Sequence, residues 1–311
     1  MHDEYLQFPV YQVDAFTREI FRGNPAGVVP HADGLTGTQM QDIARELNNS
    51  ETAFILKPTS KDHDVWVRFF TPRAEVPICG HATISAHYVR AIIEKLPACR
   101  VLQRTGAGIL PVDIVPDSKD YKIIMTQGKI QFGPTLQNTH IQTLLRALNL
   151  NSADIDGRCP VQAVSTGHGK IMVGIKRKEQ LDALAPDMGM LNRLGKEIDC
   201  PGFFVFTFDS PLPGILTHGR MFAPGIGINE DPVTGNANGP LGAYLVKHNL
   251  VKHNGKYFQF RARQGEAIRR PGEMDVMVDI EKGEPSQIRI AGEAVIAFCA
   301  SLTLACPAAL F

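Results

Sequence analysis

The groups from which proton-transfer chemistry could be built lie in three short stretches of this chain. They are Ser50-Glu51-Thr52, Cys79-Gly80-His81 and Glu230-Asp231-Pro232-Val233-Thr234-Gly235-Asn236. Glu51 falls in a turn between Leu47 and Phe54, where partial desolvation would raise a carboxyl pKa and let it take and return a proton near neutral pH. The alternative for Glu51 is a surface carboxylate capping local amides. His81 has the right nature to donate a hydrogen bond or a proton, against a structural histidine. Asp231 suits orientation of an ammonium or hydroxyl, or is simply the turn residue before Pro232.

Gly80-His81-Ala82 and Gly235-Asn236-Ala237 each stand where a turn becomes a helix. Unpaired amides and the positive end of a helix dipole suit a carboxylate or phosphate there. In the plainer reading, glycine permits the turn and Asn236 caps a helix. The Gly-rich run Thr166-Gly167-His168-Gly169-Lys170 lacks P-loop spacing and leads into a strand. No G-x-G-x-x-G follows the first strand, and no G-x-S-x-G elbow is present.

The elements that must position these groups occur twice. Arg68-Phe69-Phe70-Thr71-Pro72 with Glu75-Val76-Pro77-Ile78-Cys79-Gly80-His81-Ala82-Thr83 matches Arg220-Met221-Phe222-Ala223-Pro224 with Glu230-Asp231-Pro232-Val233-Thr234-Gly235-Asn236-Ala237-Asn238. Such a repeat predicts two similar halves with a ligand cleft between them. Glu75 and Glu230 hold equivalent positions, which points to a structural role for both. Setting Leu47 to Phe54 on Ile198 to Val205 places Glu51 opposite Gly202, so only the first half carries a carboxylate at that turn.

Alternation predicts a strand over Phe8 to Phe16, then a turn from Phe21 to Gly27. Thr36 and Gln39 form a capping box for a helix through Met40, Ile43, Ala44 and Leu47, ending near Asn48-Asn49. Strands are expected at 53–56, 65–70, 121–125, 161–164, 170–175 and 203–206, with helices after Gly80 and around 191–198. Residues 111–119 have a composition open to a linker, but 121–125 again reads as a strand and the domain crossing is placed near Gln127-Gly128. The run Ile288 to Phe298 reads as one strand that returns to complete the first half. The expected domains are 1–127 with 287–311, and 128–286.

The 311 residues balance Lys+Arg 32 against Asp+Glu 32, with 44% apolar residues. That composition favours neither nucleic acid nor an anionic membrane nor disorder. No leader or membrane-span pattern is seen, so the expectation is a cytoplasmic protein acting on small molecules. The six cysteines, Cys306 among them, show no CxxC pair and no zinc-like grouping with histidine, so reduced thiols and no metal are expected. Cys79 by itself reads as a small buried residue.

The chain resembles the PhzF-like family, and most of all its YddE-type branch. The resemblance rests on Val13-Asp14-Ala15-Phe16, Gly23-Asn24-Pro25-Ala26-Gly27, Ala44-Arg45-Glu46-Leu47, Ser50-Glu51-Thr52, Phe70-Thr71-Pro72, Gly80-His81-Ala82 and Glu230 to Ala237. It implies an α+β, diaminopimelate-epimerase-like fold: two pseudo-symmetric domains, each a mainly antiparallel barrel-like sheet around a central helix. It further implies a cofactor-independent, usually dimeric isomerase. Its Glu shuttles a proton on a small carboxylated substrate, a role that passes to Glu51, with His81 and Asp231 orienting substrate. Asn24, Cys79, Gly80, Thr234, Gly235 and Asn236 are the implied substrate-binding positions. Asn236 replaces the Ser of the phenazine enzyme, which bears on which substrate is taken.

Related diaminopimelate epimerases use two cysteines, and those positions fall here at Cys79 and Thr234. A threonine hydroxyl is far too weak an acid to relay protons as a thiol does. One-base chemistry through Glu51 is therefore the leading expectation. The alternatives are a non-catalytic anion-binding or scaffold protein, and an epimerase using Cys79 with Glu51.

Overall fold

The computed structural model describes residues 5–118 and 120–305. Cys306 and the first four residues, on which the thiol and leader expectations partly rest, lie outside the described residues. In chain order the elements run β1 (Tyr5–Ala15), β2 (Asn24–Val29), α1 (Gly37–Leu47), β3 (Thr52–Leu56), β4 (Val65–Phe70), β5 (Glu75–Val76), α2 (Gly80–Glu94), β6 (Cys99–Thr105), β7 (Gly108–Asp117) and β8 (Asp120–Thr126). There follow β9 (Gln131–Thr135), α3 (Asn138–Leu148), β10 (Gln162–Ser165), β11 (Lys170–Ile175), α4 (Lys178–Asp182), α5 (Met188–Glu197), β12 (Gly202–Thr207), β13 (Thr217–Ala223) and β14 (Ile228–Asp231). The chain closes with α6 (Gly235–Lys247), β15 (Tyr257–Gln264), β16 (Gly272–Glu281), β17 (Glu284–Gly292) and β18 (Ala294–Ala305).

Contacts divide the chain into two units. One takes the residues up to Phe21, Pro25–Ile124 and those from Glu293 on; the other takes Arg22–Asn24 and Met125–Gly292. Strand pairing in the two follows the same rule. In the first unit β2 pairs parallel with β3, β3 antiparallel with β4, β4 antiparallel with β5 and parallel with β6, and β6 antiparallel with β7. In the second, β11 pairs parallel with β12, β12 antiparallel with β13, β13 antiparallel with β14 and parallel with β15, and β15 antiparallel with β16. The sequence repeat is thus a repeat of topology.

Each unit wraps its strands around one helix. Every residue from Gly80 to Val89 of α2 is buried, and every residue from Ala237 to Val246 of α6. A helix without a solvent face must lie inside its sheet. The other repeated helices are amphipathic. Met40, Ile43 and Ala44 of α1 enter an apolar cluster with Phe8, Val29, Phe54 and Phe70, whereas Leu191 and Leu194 of α5 pack with Val173, Phe203 and Val205.

Two expectations need correction. Residues 108–117 form strand β7 rather than a linker, antiparallel to β6, with Val112 and Ile114 buried and Pro111 opposite Leu102. The single strand expected over 288–298 is two, broken at Glu293. The first, β17, pairs with β16, and the second, β18, pairs along β1.

The repeated Arg and Glu are partners in both copies. Arg68 donates to Glu75 from Nε (2.8 Å) and Nη2 (2.7 Å), and Arg220 donates to Glu230 from Nε (2.9 Å) and Nη2 (2.8 Å). The environments differ: Arg220 and Glu230 side chains are 9% and 10% exposed, Arg68 and Glu75 20% and 45%. Arg220 also donates to the carbonyls of Leu181, Asp182 and Leu184. Arg220→Ala strands a buried carboxylate and should cost about 3–5 kcal/mol in urea unfolding. Arg68→Ala should cost about 1 kcal/mol or less.

On α2, His87 is fully buried, 2.7 Å from Gln103 Oε1, and burial pulls it down to about 4. The native state therefore holds His87 neutral while the unfolded chain protonates it below its ordinary value. Stability should fall as pH drops from about 6.5 to about 4, by up to ~1.4 kcal/mol per pH unit from this group. The corresponding part of the slope should be missing in His87→Gln, as read from denaturation midpoints across that range.

Candidate active site

The first cluster is built where α1 ends and α2 begins. Helix α1 starts on the Thr36–Gln39 capping box and stops at Asn48, whose left-handed backbone turns the chain. Residues 49–51 then run into β3, and Gly27 N donates to Glu51 O at 3.2 Å. A Cβ at Gly27 would lie 2.8 Å from Thr52 Oγ1 and 2.9 Å from Leu47 Cδ1, so only glycine lets β2 press so closely against this turn. Cys79 is the N-cap of α2, and its carbonyl accepts from Thr83 N (3.0 Å) and Thr83 Oγ1 (2.7 Å). This fixes His81 in the first helical turn.

The His81 ring lies between two acids. Its Nε2 is 3.4 Å from Glu51 Oε2 and 3.1 Å from Ser50 Oγ, while its Nδ1 is 3.4 Å from Cys79 Sγ. His81 and Cys79 are buried, and the Glu51 side chain keeps 15% exposure. One ligand atom from each of the three falls within 4.8 Å of the others. The arrangement can carry a proton between carboxylate and thiol through the imidazole. It also offers three of the four ligands of a tetrahedral metal site, with donor types that suit zinc.

The second cluster gathers at the start of α6. Asp231, at the end of β14, accepts from Asn24 Nδ2 (2.9 Å) and from the Thr234 hydroxyl (2.5 Å). Asn24 Nδ2 also donates to Val233 O at 2.8 Å, although 209 residues separate them. Thr234, the helix N-cap, makes no side-chain capping bond; its hydroxyl goes to Asp231 instead. Gly235 and Asn236 are held by Gln127, whose Nε2 donates to Gly235 O (2.8 Å) and Asn236 Oδ1 (3.4 Å) and whose Oε1 accepts from Thr166 Oγ1 (2.8 Å). Pro240, inside α6, cannot donate to the carbonyl four residues back, that of Asn236.

Glu51, Cys79, Gly80 and His81 therefore form one group, and Asn24, Asp231, Thr234, Gly235 and Asn236 another. Sequence reasoning missed several residues that hold these groups in place. Ser50 touches His81, Gln127 anchors α6, and Gln264 ties the 231–234 turn together. Lys170 was also missed as more than a strand start. Its side chain fills the space over Gly202, where an added Cβ would sit 2.3 Å from Lys170 Cδ. Burial holds its ammonium below the usual range, with Cys200 and Asp231 pulling the other way. The repeat gave a usable signal for it: Gly202 is the Glu51 counterpart, and a glycine there leaves room for a neighbour's chain. Arg45 pairs with Asp42, and Arg68 with Glu75.

Among the described residues no helix is long and apolar enough to cross a membrane.

The profile of the phenazine biosynthesis-like protein family matches residues 13–300. An uncharacterised isomerase of Clostridium acetobutylicum is 56% identical over 96% of this chain and 99% of its own length. The uncharacterised isomerase YddE of Escherichia coli K12 is 49% identical over 93% and 96%. The trans-2,3-dihydro-3-hydroxyanthranilate isomerase of Pseudomonas aeruginosa is 31% identical over 90% and 94%. Among solved structures, a PhzF-family protein of Bacillus anthracis superposes with a TM-score of 0.87 at 31% identity, covering 96% of this chain and 100% of that one. A hydroxyproline epimerase of Agrobacterium vitis, at 13% identity and a TM-score of 0.59 over 97% and 94%, shares the fold.

Proposed function

The chain belongs to the phenazine biosynthesis-like (PhzF-like) family, a family of isomerases, and we propose that it moves a C–H proton on a small carboxylate-bearing metabolite with Glu51 as the single general acid/base. The observation that carries this reading is the Glu51–His81 contact: a partly exposed carboxylate backed at 3.4 Å by a buried imidazole. The carboxylate takes the proton from one carbon, and charge spreads into the substrate's conjugated or carboxyl-bearing portion. The same carboxyl group, 15% exposed and so able to exchange its proton with solvent, then delivers a proton to another carbon on the same face. In this reading the first-turn amides of α2 stabilise the negative charge that develops.

His81 holds and orients the Glu51 carboxylate and can share its proton. Asp231 accepts from a substrate ammonium or hydroxyl, and Asn24, Thr234, Gly235 and Asn236 bind substrate with it. The P. aeruginosa relative is named for a cyclic amino carboxylate, which supports that substrate class.

Separation favours one base over two. Bases that invert a carbon stand on opposite faces, each about 3–3.5 Å from it, so roughly 6–7 Å apart. The Glu51 and Cys79 donor atoms are within 4.8 Å of each other. That spacing suits two groups on one wall.

The test is a substrate screen. Unsaturated cyclic, amino and hydroxy carboxylates are incubated with the protein and followed by proton NMR and mass spectrometry. The expected product is a positional isomer of unchanged mass. Products that are only mirror-image epimers would favour the two-base alternative.

A further inference from the structure

We propose that Glu51, Cys79 and His81 also form a binding site for a soft divalent cation, with Zn2+ as the fitting ion, and that its arrival stops proton transfer. The donors are one thiol, one imidazole and one carboxylate, a set that zinc takes with a fourth position left open. Tetrahedral zinc, with bonds of roughly 2.3 Å to sulfur and 2.0–2.1 Å to nitrogen and oxygen, sets its ligand atoms about 3.4–3.6 Å apart. The Cys79 Sγ to His81 Nδ1 distance is 3.4 Å and the His81 Nε2 to Glu51 Oε2 distance is 3.4 Å, so one edge of the tetrahedron is already formed whichever ring nitrogen binds. With one of the two ring nitrogens all three donors lie within 4.8 Å of one another, and a side-chain movement of roughly 1 Å closes the set.

Backbone constraints hold two of the donors ready. Cys79 and His81 are fixed by the start of α2 and are buried, which lowers the entropy lost on binding. Glu51, still partly exposed, marks the side from which an ion enters. Binding releases the thiol proton to solvent and leaves a thiolate–metal bond. The α2 dipole opposes a cation at this end by about 0.3–1 kcal/mol, which is small beside such a bond. With its carboxylate and imidazole both ligated, the site has no free base; this inhibition, unlike the binding, rests on the proposed function of Glu51.

The experiment is a titration of the full chain, reduced and metal-free, with Cd2+ as the probe and Zn2+ as competitor. The ultraviolet thiolate-to-cadmium charge-transfer band reports the bond. One equivalent should bind with the band, and Zn2+ should displace it. Cys79→Ser and Cys79→Ala should each lose that component, with folding checked by circular dichroism, whereas Cys299→Ser, at an exposed thiol, should keep it. His81→Gln and Glu51→Gln should keep a band but weaken binding at least about tenfold. Titration of Cys79→Ser like the wild type, or full affinity in both Glu51→Gln and His81→Gln, would overturn the site. The titration needs no substrate, so its failure leaves the isomerase reading standing. Conversely, a cadmium site in a protein that moves no proton would leave the cation site standing alone.

Discussion

Glu51→Gln should reduce turnover by at least about 10^4-fold while leaving substrate affinity within a few-fold of wild type. A general acid/base contributes about 10^2–10^4 in ordinary cases. Here one carboxylate is asked both to remove and to return the proton, so its loss removes two steps at once. Glutamine keeps the size of the side chain and one hydrogen-bond acceptor, so the turn after α1 and the Gly27 N to Glu51 O bond should survive. Glu51→Asp should retain partial activity, because the acid is kept and only its reach is shortened. Cys79→Ser should keep most turnover, since the thiol contacts His81 at Nδ1 whereas Glu51 meets it at Nε2. Single-turnover rates and substrate-induced melting shifts separate the chemical loss from any binding loss.

Gln264→Leu should destabilise the fold by about 3–5 kcal/mol and displace the 231–234 turn. Gln264 is buried and fully used: Oε1 accepts from Thr234 N (3.1 Å) and Asn238 Nδ2 (3.0 Å), and Nε2 donates to Asp231 O (2.7 Å) and Thr234 Oγ1 (3.1 Å). An apolar replacement of similar size leaves these buried groups without their partner, at about 1–3 kcal/mol for each that finds no other. Part of that cost returns as the turn relaxes, which is why the estimate lies below the simple sum. Gln264→Glu should not restore stability, because it removes both N–H donors. Guanidinium unfolding gives the loss, and an unchanged midpoint for Gln264→Leu would mean the network holds nothing in place.

Local signals made much of the fold legible. The Thr36–Gln39 capping box starts α1 where the residues say it should, and β11 runs over Lys170–Ile175 as its composition requires. The structural role read for Glu75 and Glu230 is met by their paired arginines. Misreadings came where a local signal competed with pairing. Pro111 and Pro116 suggested a linker, yet Pro111 sits opposite Leu102 and Pro116 lies beyond the last pair with β6, Cys99 with Ile114, so the ladder with β6 survives both.

The site was legible in part. Glu51, His81 and Asp231 stand out by residue type and repeat position. The company they keep does not. Asn24 meets Asp231 across 207 residues, and Glu51 comes beside Cys79 and His81 only when β3 and α2 are folded together, so no spacing rule exposes either group. Gln127 and Gln264 carry no chemistry of their own, and their importance is visible only once the hydrogen bonds are counted.

The most direct test of single-base proton transfer is solvent deuterium incorporation. A panel of small amino, hydroxy and cyclic unsaturated carboxylates is incubated in deuterium oxide with wild type and with Glu51→Gln, and label is located by proton NMR and mass spectrometry. The account predicts label at a carbon-bound position of at least one compound with wild type and none with Glu51→Gln. Equal label in both proteins would contradict it, because the proton would then be moving without the Glu51 carboxylate.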